Sequence, residues 1–253
     1  MMAPAAWVTG GASGIGAELV RRLCEQGRAV FVADAAPLPD DSPAAGADLL
    51  DVRDGDALKR SCLKAAQTPE GLGLAVLCAG IGGTGPSRWD AVDADAYQRI
   101  IDINITGVVQ SIAAAVPHLR RTRGAIVVLA SLAGLTPFPD NPFYAMTKSA
   151  VVGLVRSLGP GLARDGVRIA AVCPGFVDTP LIDSWRSEFA AAGLPLLDAG
   201  TVVDAVLRAA NEGDSGSCWL VQPGHEATPY RFRGVPGAVR VDGTVAVVPR
   251  LAS

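Results

Sequence analysis

Thr9-Gly10-Gly11-Ala12-Ser13-Gly14-Ile15-Gly16 decides how the rest of this 253-residue chain is read. It follows a short apolar run, Ala5–Thr9, and opens a stretch, Gly14–Gln26, in which Ile15, Leu19, Leu23 and Cys24 share one helical stripe. Gly27 is suited to end that helix. A turn this tight between strand and helix calls for positive φ, which glycine adopts without steric cost. Gly10, Gly14 and Gly16 also let the backbone approach a pyrophosphate, and the helix N-terminus offers unpaired N–H groups and the positive end of its dipole. A second apolar run, Ala29–Asp34, ends on an acid eighteen positions after Gly16. A carboxylate at roughly 20 residues suits the hydroxyl pair of a ribose. The plainer alternatives are an ordinary turn and a solvated charge at a strand end.

Asp34 also separates two cofactors. Its carboxylate repels a 2′-phosphate, and Ala33, Ala35, Ala36 and Ser13 supply no cation to hold one. NAD is therefore expected over NADP.

Further apolar, β-branched runs at Leu74–Ala79, Ala125–Ser131, Arg168–Cys173 and Cys218–Val221, with a weaker one at Asp48–Val52, suit strands buried on both faces of a parallel sheet. Longer segments with helical spacing alternate with them, the longest being Ala94–Leu119 and Tyr144–Ala163. The pattern predicts an α/β chain: one doubly wound, mostly parallel, seven-stranded Rossmann sheet with helices on both faces. Residues 1–253 are expected to form a single dinucleotide-binding domain, with 222–253 as a loop-rich C-terminal extension.

Composition narrows the function. Lys and Arg number 22 against 25 Asp and Glu, 49% of residues are hydrophobic and only 5% aromatic. Such a chain has neither the basic surface nor the stacking platforms of a nucleic-acid binder, and no electrostatic reason to seek an anionic membrane. No stretch reaches about 18 consecutive apolar residues, and the first residues lack a basic leader. The cysteines (24, 62, 78, 173 and 218) are scattered, as in a reduced, cytoplasmic protein. With His118 and His225 as the two histidines, no metal centre is expected.

The second chemical cluster is Ser131 at a strand end and Tyr144-Ala145-Met146-Thr147-Lys148 at a helix start. Tyr144 and Lys148, four apart, share a helix face. A free phenol titrates near 10, too high for a base at neutral pH, and an adjacent cation favours the phenolate. A serine hydroxyl opposite can hold a substrate oxygen. Taken singly, each residue is equally well a turn cap, a half-buried aromatic or a surface charge.

Together, these motifs resemble those of the short-chain dehydrogenase/reductase family over about Ala5–Val221. Thr9–Gly16 resembles its T-G-x-x-x-G-x-G loop, and Asn104-Ile105-Thr106-Gly107 its N-x-x-G helix motif. The resemblance implies that Tyr144 is the acid/base, that Lys148 lowers its pKa and binds the ribose, that Ser131 orients substrate, and that Asn104 supports a proton relay. It further implies cofactor contacts at Gly10, Ser13, Gly14, Ile15, Gly16 and Asp34, at Asp51 and Val52 beside adenine, and at Ala79 and Gly80. In Pro174-Gly175-Phe176-Val177-Asp178-Thr179-Pro180, Pro174, Val177 and Thr179 resemble the loop that holds the nicotinamide carboxamide. Two features depart from the family. Its N-N-A-G is here Leu77-Cys78-Ala79-Gly80, and its usual D-G-G ending is missing.

Substrate contacts are expected from loops at the carboxyl ends of the strands: Leu135, Phe138, Phe176, Leu181 and Trp185. These are apolar, so a hydrophobic secondary alcohol or ketone is expected, with Arg186 the nearest cation. They could equally pack a lid. Small apolar faces on the two longest helices resemble the family's dimer interface and imply a homodimer or homotetramer. The alternatives are a 3-ketoacyl-type reductase and a non-catalytic dinucleotide-sensing protein on the same fold.

Overall fold

A computed structural model of the chain describes residues 3–83, 90–241 and 244–245. Met1, Met2 and the last eight residues of the expected extension lie outside the described residues.

Eight strands form one sheet: β1 (Ala5–Thr9), β2 (Val30–Asp34), β3 (Gly46–Leu49), β4 (Leu72–Leu77), β5 (Ala125–Leu129), β6 (Arg168–Pro174), β7 (Ser217–Val221) and β8 (Thr228–Pro229). Their order is β3-β2-β1-β4-β5-β6-β7-β8. The first seven run parallel, and β8 joins β7 antiparallel. The order in which strands are added reverses between β1 and β4, which opens a crevice at their carboxyl ends.

The strands are continuous apolar runs because both faces are covered. Along β1, Ala5 and Trp7 enter one core and Ala6 and Val8 the other. The first core lies under α2 (Gly55–Ala66), α4 (Gly107–Thr122) and α5 (Pro142–Arg164). The second lies under α1 (Gly14–Glu25) and α7 (Ala199–Glu212). Trp7 is wholly buried, and its indole N–H donates to Ser61 Oγ of α2 at 3.1 Å, which satisfies the one polar atom the ring carries. Two shorter helices, α3 (Ala94–Ile101) and α6 (Arg186–Ala191), sit at the crevice end.

Helix starts follow their caps. Asp54, Asp93 and Asp198 accept backbone N–H groups at the heads of α2, α3 and α7. The expected helix over Ala94–Leu119 is one helical run to Thr122, widened by a π-helical segment at Asp102–Thr106. It is long and apolar enough to cross a membrane, but it packs on α2, β4 and β5.

Two expectations are corrected. The sheet has eight strands, because Thr228–Pro229 of the expected loop-rich extension adds a short rung to β7. The weak strand expected at Asp48–Val52 runs over Gly46–Leu49, and its alternately exposed residues mark an edge. Leu50 makes the last contact to β2, and Asp51 then turns the chain toward α2.

Candidate active site

The glycine loop joins β1 to α1 at the crevice. Gly10 has φ +73°, and a Cβ there would come 2.5 Å from the Ala79 nitrogen, so the loop lies directly on the backbone that follows β4. At Gly16 a Cβ would meet the Gly10 carbonyl oxygen at 1.9 Å. Gly14, at φ +52°, lies beside the Thr179 side chain. Ser13 takes the N-cap position with extended backbone but makes no side-chain cap, which leaves the first N–H groups of α1 for another acceptor. Ile15 packs against the α1/α7 core. Asp34 ties the loop to β2: its Oδ2 accepts from the Ala12 N–H at 2.8 Å and its Oδ1 from the Ala36 N–H at 2.9 Å. This glycine cradle, an uncapped helix N-terminus and an adjacent carboxylate fit a dinucleotide.

Around it, Val52 is buried, and a Cβ at Gly107 would meet its Cγ2 at 2.7 Å. Asp51 is held by Arg53, whose guanidinium keeps the carboxyl below its ordinary range. Pro174 ends β6, and Gly175 donates to the Val221 carbonyl. Val177 bridges to Leu197, and Thr179 Oγ1 donates to the Val177 carbonyl at 3.3 Å. These bonds bring the loop after β6 over the glycine turn. Cys78, where the family has asparagine, donates its N–H to the Thr9 carbonyl, and burial pushes its thiol up to about 12.

Ser131, Tyr144, Lys148 and Asn104 converge. Ser131 Oγ accepts the Ala133 N–H at 3.1 Å, and its hydroxyl lies near enough to the Tyr144 phenol to draw the phenol's pKa down. Lys148 is 7% exposed; its Nζ donates to the Leu129 carbonyl at 2.9 Å and lies 5.5 Å from the Tyr144 ring centre. Burial lowers its pKa to about 8. A Cβ at Gly80 would sit 3.3 Å from Asn104 Oδ1 and 3.6 Å from Lys148 Nζ, so Gly80 lets three elements meet. Asn104 stands in the π segment and spends its amide locally. Its Oδ1 accepts the Ile81 N–H, and its Nδ2 donates to the Ile81 carbonyl and to Thr147 Oγ1, at 2.9, 2.9 and 3.1 Å.

The expected depression of the Tyr144 pKa is absent in the chain alone. Burial raises it above the ordinary phenol value, and the Ser131 hydroxyl opposes the rise. Lys148 is itself buried and directs its ammonium at a backbone carbonyl.

A cluster of four rings reaches the phenol through Phe138. Phe138 meets Tyr144, Phe176 and Trp185 edge-on at 6.4, 6.0 and 6.1 Å between centroids. Phe189 of α6, which the sequence does not single out, packs on Phe176 at 4.4 Å and on Trp185 at 6.3 Å. Leu181 is exposed and approaches Gly82. Leu135 is partly buried and packs against the α2/α4/α5 core. Arg186 is engaged by Asp178 and Asp183.

A family model described as short chain dehydrogenase matches residues 4–189. The chain is 35% identical over 197 residues to a cis-4-hydroxycyclohexanecarboxylate dehydrogenase of Sinomonas cyclohexanicum, covering 74% of this chain and 75% of that one. It is 34% identical over 182 residues to an NAD(+) 2-dehydro-3-deoxy-L-rhamnonate dehydrogenase of Sphingomonas sp. strain SKA58, covering 70% and 73%. In fold it resembles the structure of ElxO with NADP bound, with a TM-score of 0.76 at 23% identity over 88% of this chain and 98% of that one. With a nucleotide-binding Rossmann fold and a family model spanning most of its length, the chain belongs to the short-chain dehydrogenase family of oxidoreductases.

Proposed function

We propose that this chain is an NAD-dependent dehydrogenase/reductase that interconverts a hydrophobic secondary alcohol and its ketone, with Tyr144 as the acid/base. The observation that carries the reading is the convergence on one phenol: Lys148 Nζ lies 5.5 Å from the centre of the Tyr144 ring, and the Ser131 side chain is near enough to draw the phenol's pKa down.

Gly10, Ser13, Gly14, Ile15 and Gly16 hold the pyrophosphate on the head of α1, and Asp34 takes the ribose hydroxyls. Asp51 and Val52 line the adenine side, and Ala79 and Gly80 form the floor. Pro174, Val177 and Thr179 hold the carboxamide, while Tyr144 and Lys148 bind the second ribose. When bound, the nicotinamide accepts or returns the hydride. The protein's own part is a proton: Ser131 holds the substrate oxygen, and Tyr144 takes the alcohol proton or returns it to the ketone. The raised pKa keeps the phenol protonated in the empty cleft, the form that returns a proton to a ketone; the positive charges of Lys148 and of an oxidised nicotinamide would favour the phenolate, the form that takes a proton from an alcohol. Asn104 supports the relay that carries the proton to solvent.

The apolar rings Phe138, Phe176 and Trp185, with Leu181 at the rim, support a hydrophobic substrate. Arg186, paired to two aspartates, is poorly placed to recruit an anion. Asp34 supports NAD, although the structural relative ElxO holds NADP. The exposed Val109 and Met146 on α4 and α5 support assembly as a homodimer or homotetramer, and the free cysteines suit the cytoplasm.

The test is a screen of secondary alcohols with NAD+ and NADP+ on the wild type and on Tyr144→Phe. Turnover with NAD+ that disappears in the variant is expected. Undiminished turnover in Tyr144→Phe would refute the role of the phenol, and equal efficiency with both cofactors the role of Asp34.

A further inference from the structure

We propose that Asn141 is a positioning residue for Tyr144: its buried amide clamps the loop after β4 to the head of α5 and so fixes the phenol over the site. The proposal rests on the reading of Tyr144 as the acid/base.

Asn141 is 1% exposed, and both ends of its amide are used. Its Oδ1 accepts the Tyr144 backbone N–H at 3.1 Å, capping α5. Its Nδ2 donates to the Gly82 carbonyl at 2.8 Å and to the Gly83 carbonyl at 3.3 Å. Capping alone does not call for asparagine, since Asp54, Asp93 and Asp198 cap α2, α3 and α7. What asparagine adds is a donor on the same planar group. An aspartate here would turn an anionic oxygen toward two carbonyl oxygens.

The other side of Tyr144 is tied to the same loop. The Tyr144 carbonyl accepts from Thr147 Oγ1 at 2.8 Å, Thr147 Oγ1 accepts from Asn104 Nδ2, and Asn104 binds both backbone groups of Ile81. The N–H and C=O of Tyr144 are thus each linked through buried side chains to consecutive residues, Ile81 to Gly83. Asn104 alone would leave this loop free to pivot about Ile81. Asn141 supplies the second fixed point, next to Gly82, where Leu181 approaches.

Asn141→Asp and Asn141→Ser test this, because both retain an N-cap acceptor and lose the donor pair. We expect kcat to fall by about 10–100-fold, with the pH profile of kcat displaced and NAD affinity held within about threefold. Hydrogen exchange should speed up at Ile81–Gly83, with less change at the Tyr144 amide, whose cap acceptor both variants keep. A kcat within about threefold of wild type overturns the proposal. So does a loss that tracks melting temperature and NAD affinity with an unmoved pH profile. Exchange reads the clamp without turnover, so unchanged exchange overturns it even if Tyr144→Phe remains active and the functional reading falls instead.

Discussion

Lys148 gives its ammonium to the Leu129 carbonyl while lying 5.5 Å from the centre of the Tyr144 ring, so the cation is anchored to β5 and not to the phenol. This anchoring has a cost in stability. The Lys148 pKa falls from the usual 10.5 to about 8 because burial disfavours its charged form. Below pH 8 the folded chain carries the full penalty. Between pH 8 and 10.5 the unfolded chain binds the extra proton, so stability rises with pH. The stability of Lys148→Met relative to wild type should therefore decline by roughly 2–3 kcal/mol from pH 7 to pH 10, read from urea midpoints. A pH-independent difference would show that Lys148 is not desolvated in the folded state.

In the proposed function Asp34 joins cofactor choice to loop geometry, because the carboxylate that would face the ribose also accepts the Ala12 and Ala36 N–H groups. Asp34→Ala should weaken NAD binding by about 10–100-fold, in line with losing charged hydrogen bonds. NADP binding should weaken less, because a repulsive charge is removed with them. Titration of cofactor fluorescence measures both. An unchanged ratio of the two affinities would rule out Asp34 as the discriminator.

Gly16 and Gly161 give a contrast within one chain. At Gly16 a Cβ would meet a backbone oxygen at 1.9 Å, whereas at Gly161, inside α5, the nearest atom is the flexible Arg164 guanidinium at 4.0 Å. Gly16→Ala should cost about 2–4 kcal/mol and abolish dinucleotide binding, while Gly161→Ala should add about 0.5–1 kcal/mol. Thermal melts and cofactor titration read both outcomes.

Phe138 is the hub of the rings beside the phenol. Phe138→Ala should raise KM for a hydrophobic alcohol by about 10-fold and lower kcat less, because the loss falls on binding shared by ground and transition states. Phe189→Ala, one ring further out, should act in the same direction with a smaller effect. A small polar alcohol should be insensitive to both.

Much of this was legible in the sequence because the relevant physics is local. The Ala5–Thr9 run, the glycine turn and Asp34 each follow from spacing within about 30 residues, and the structure sets them as one βαβ unit. The Tyr144–Lys148 spacing likewise fixes a shared helix face. What was not legible depends on distant partners. Leu135 reads as a loop residue beside the site, and its second set of contacts, with the α2/α4/α5 core, is visible only in the fold. Phe189 lies in a segment without strong periodicity and gains its place only when α6 folds back on Phe176. Asn141 reads as a residue before a proline, and only the backbone of a loop 58 residues away gives its amide a purpose. The raised pKa of Tyr144 is hidden for a related reason: spacing reports that a cation is near but not that both groups are desolvated.

The short rung β8 has a consequence for how molecules of this protein meet. It pairs Trp219 with Pro229 on the outer side of β7, and Pro229 has no N–H to offer a further strand. The chain thereby carries its own polymer terminator at that rim of the sheet, and growth by strand addition stops on an imino acid. The stop guards this rim alone, since β3 forms the edge at the opposite end of the sheet. A chain shortened before Thr228 would lose the stop and bare the backbone of β7 to strand addition.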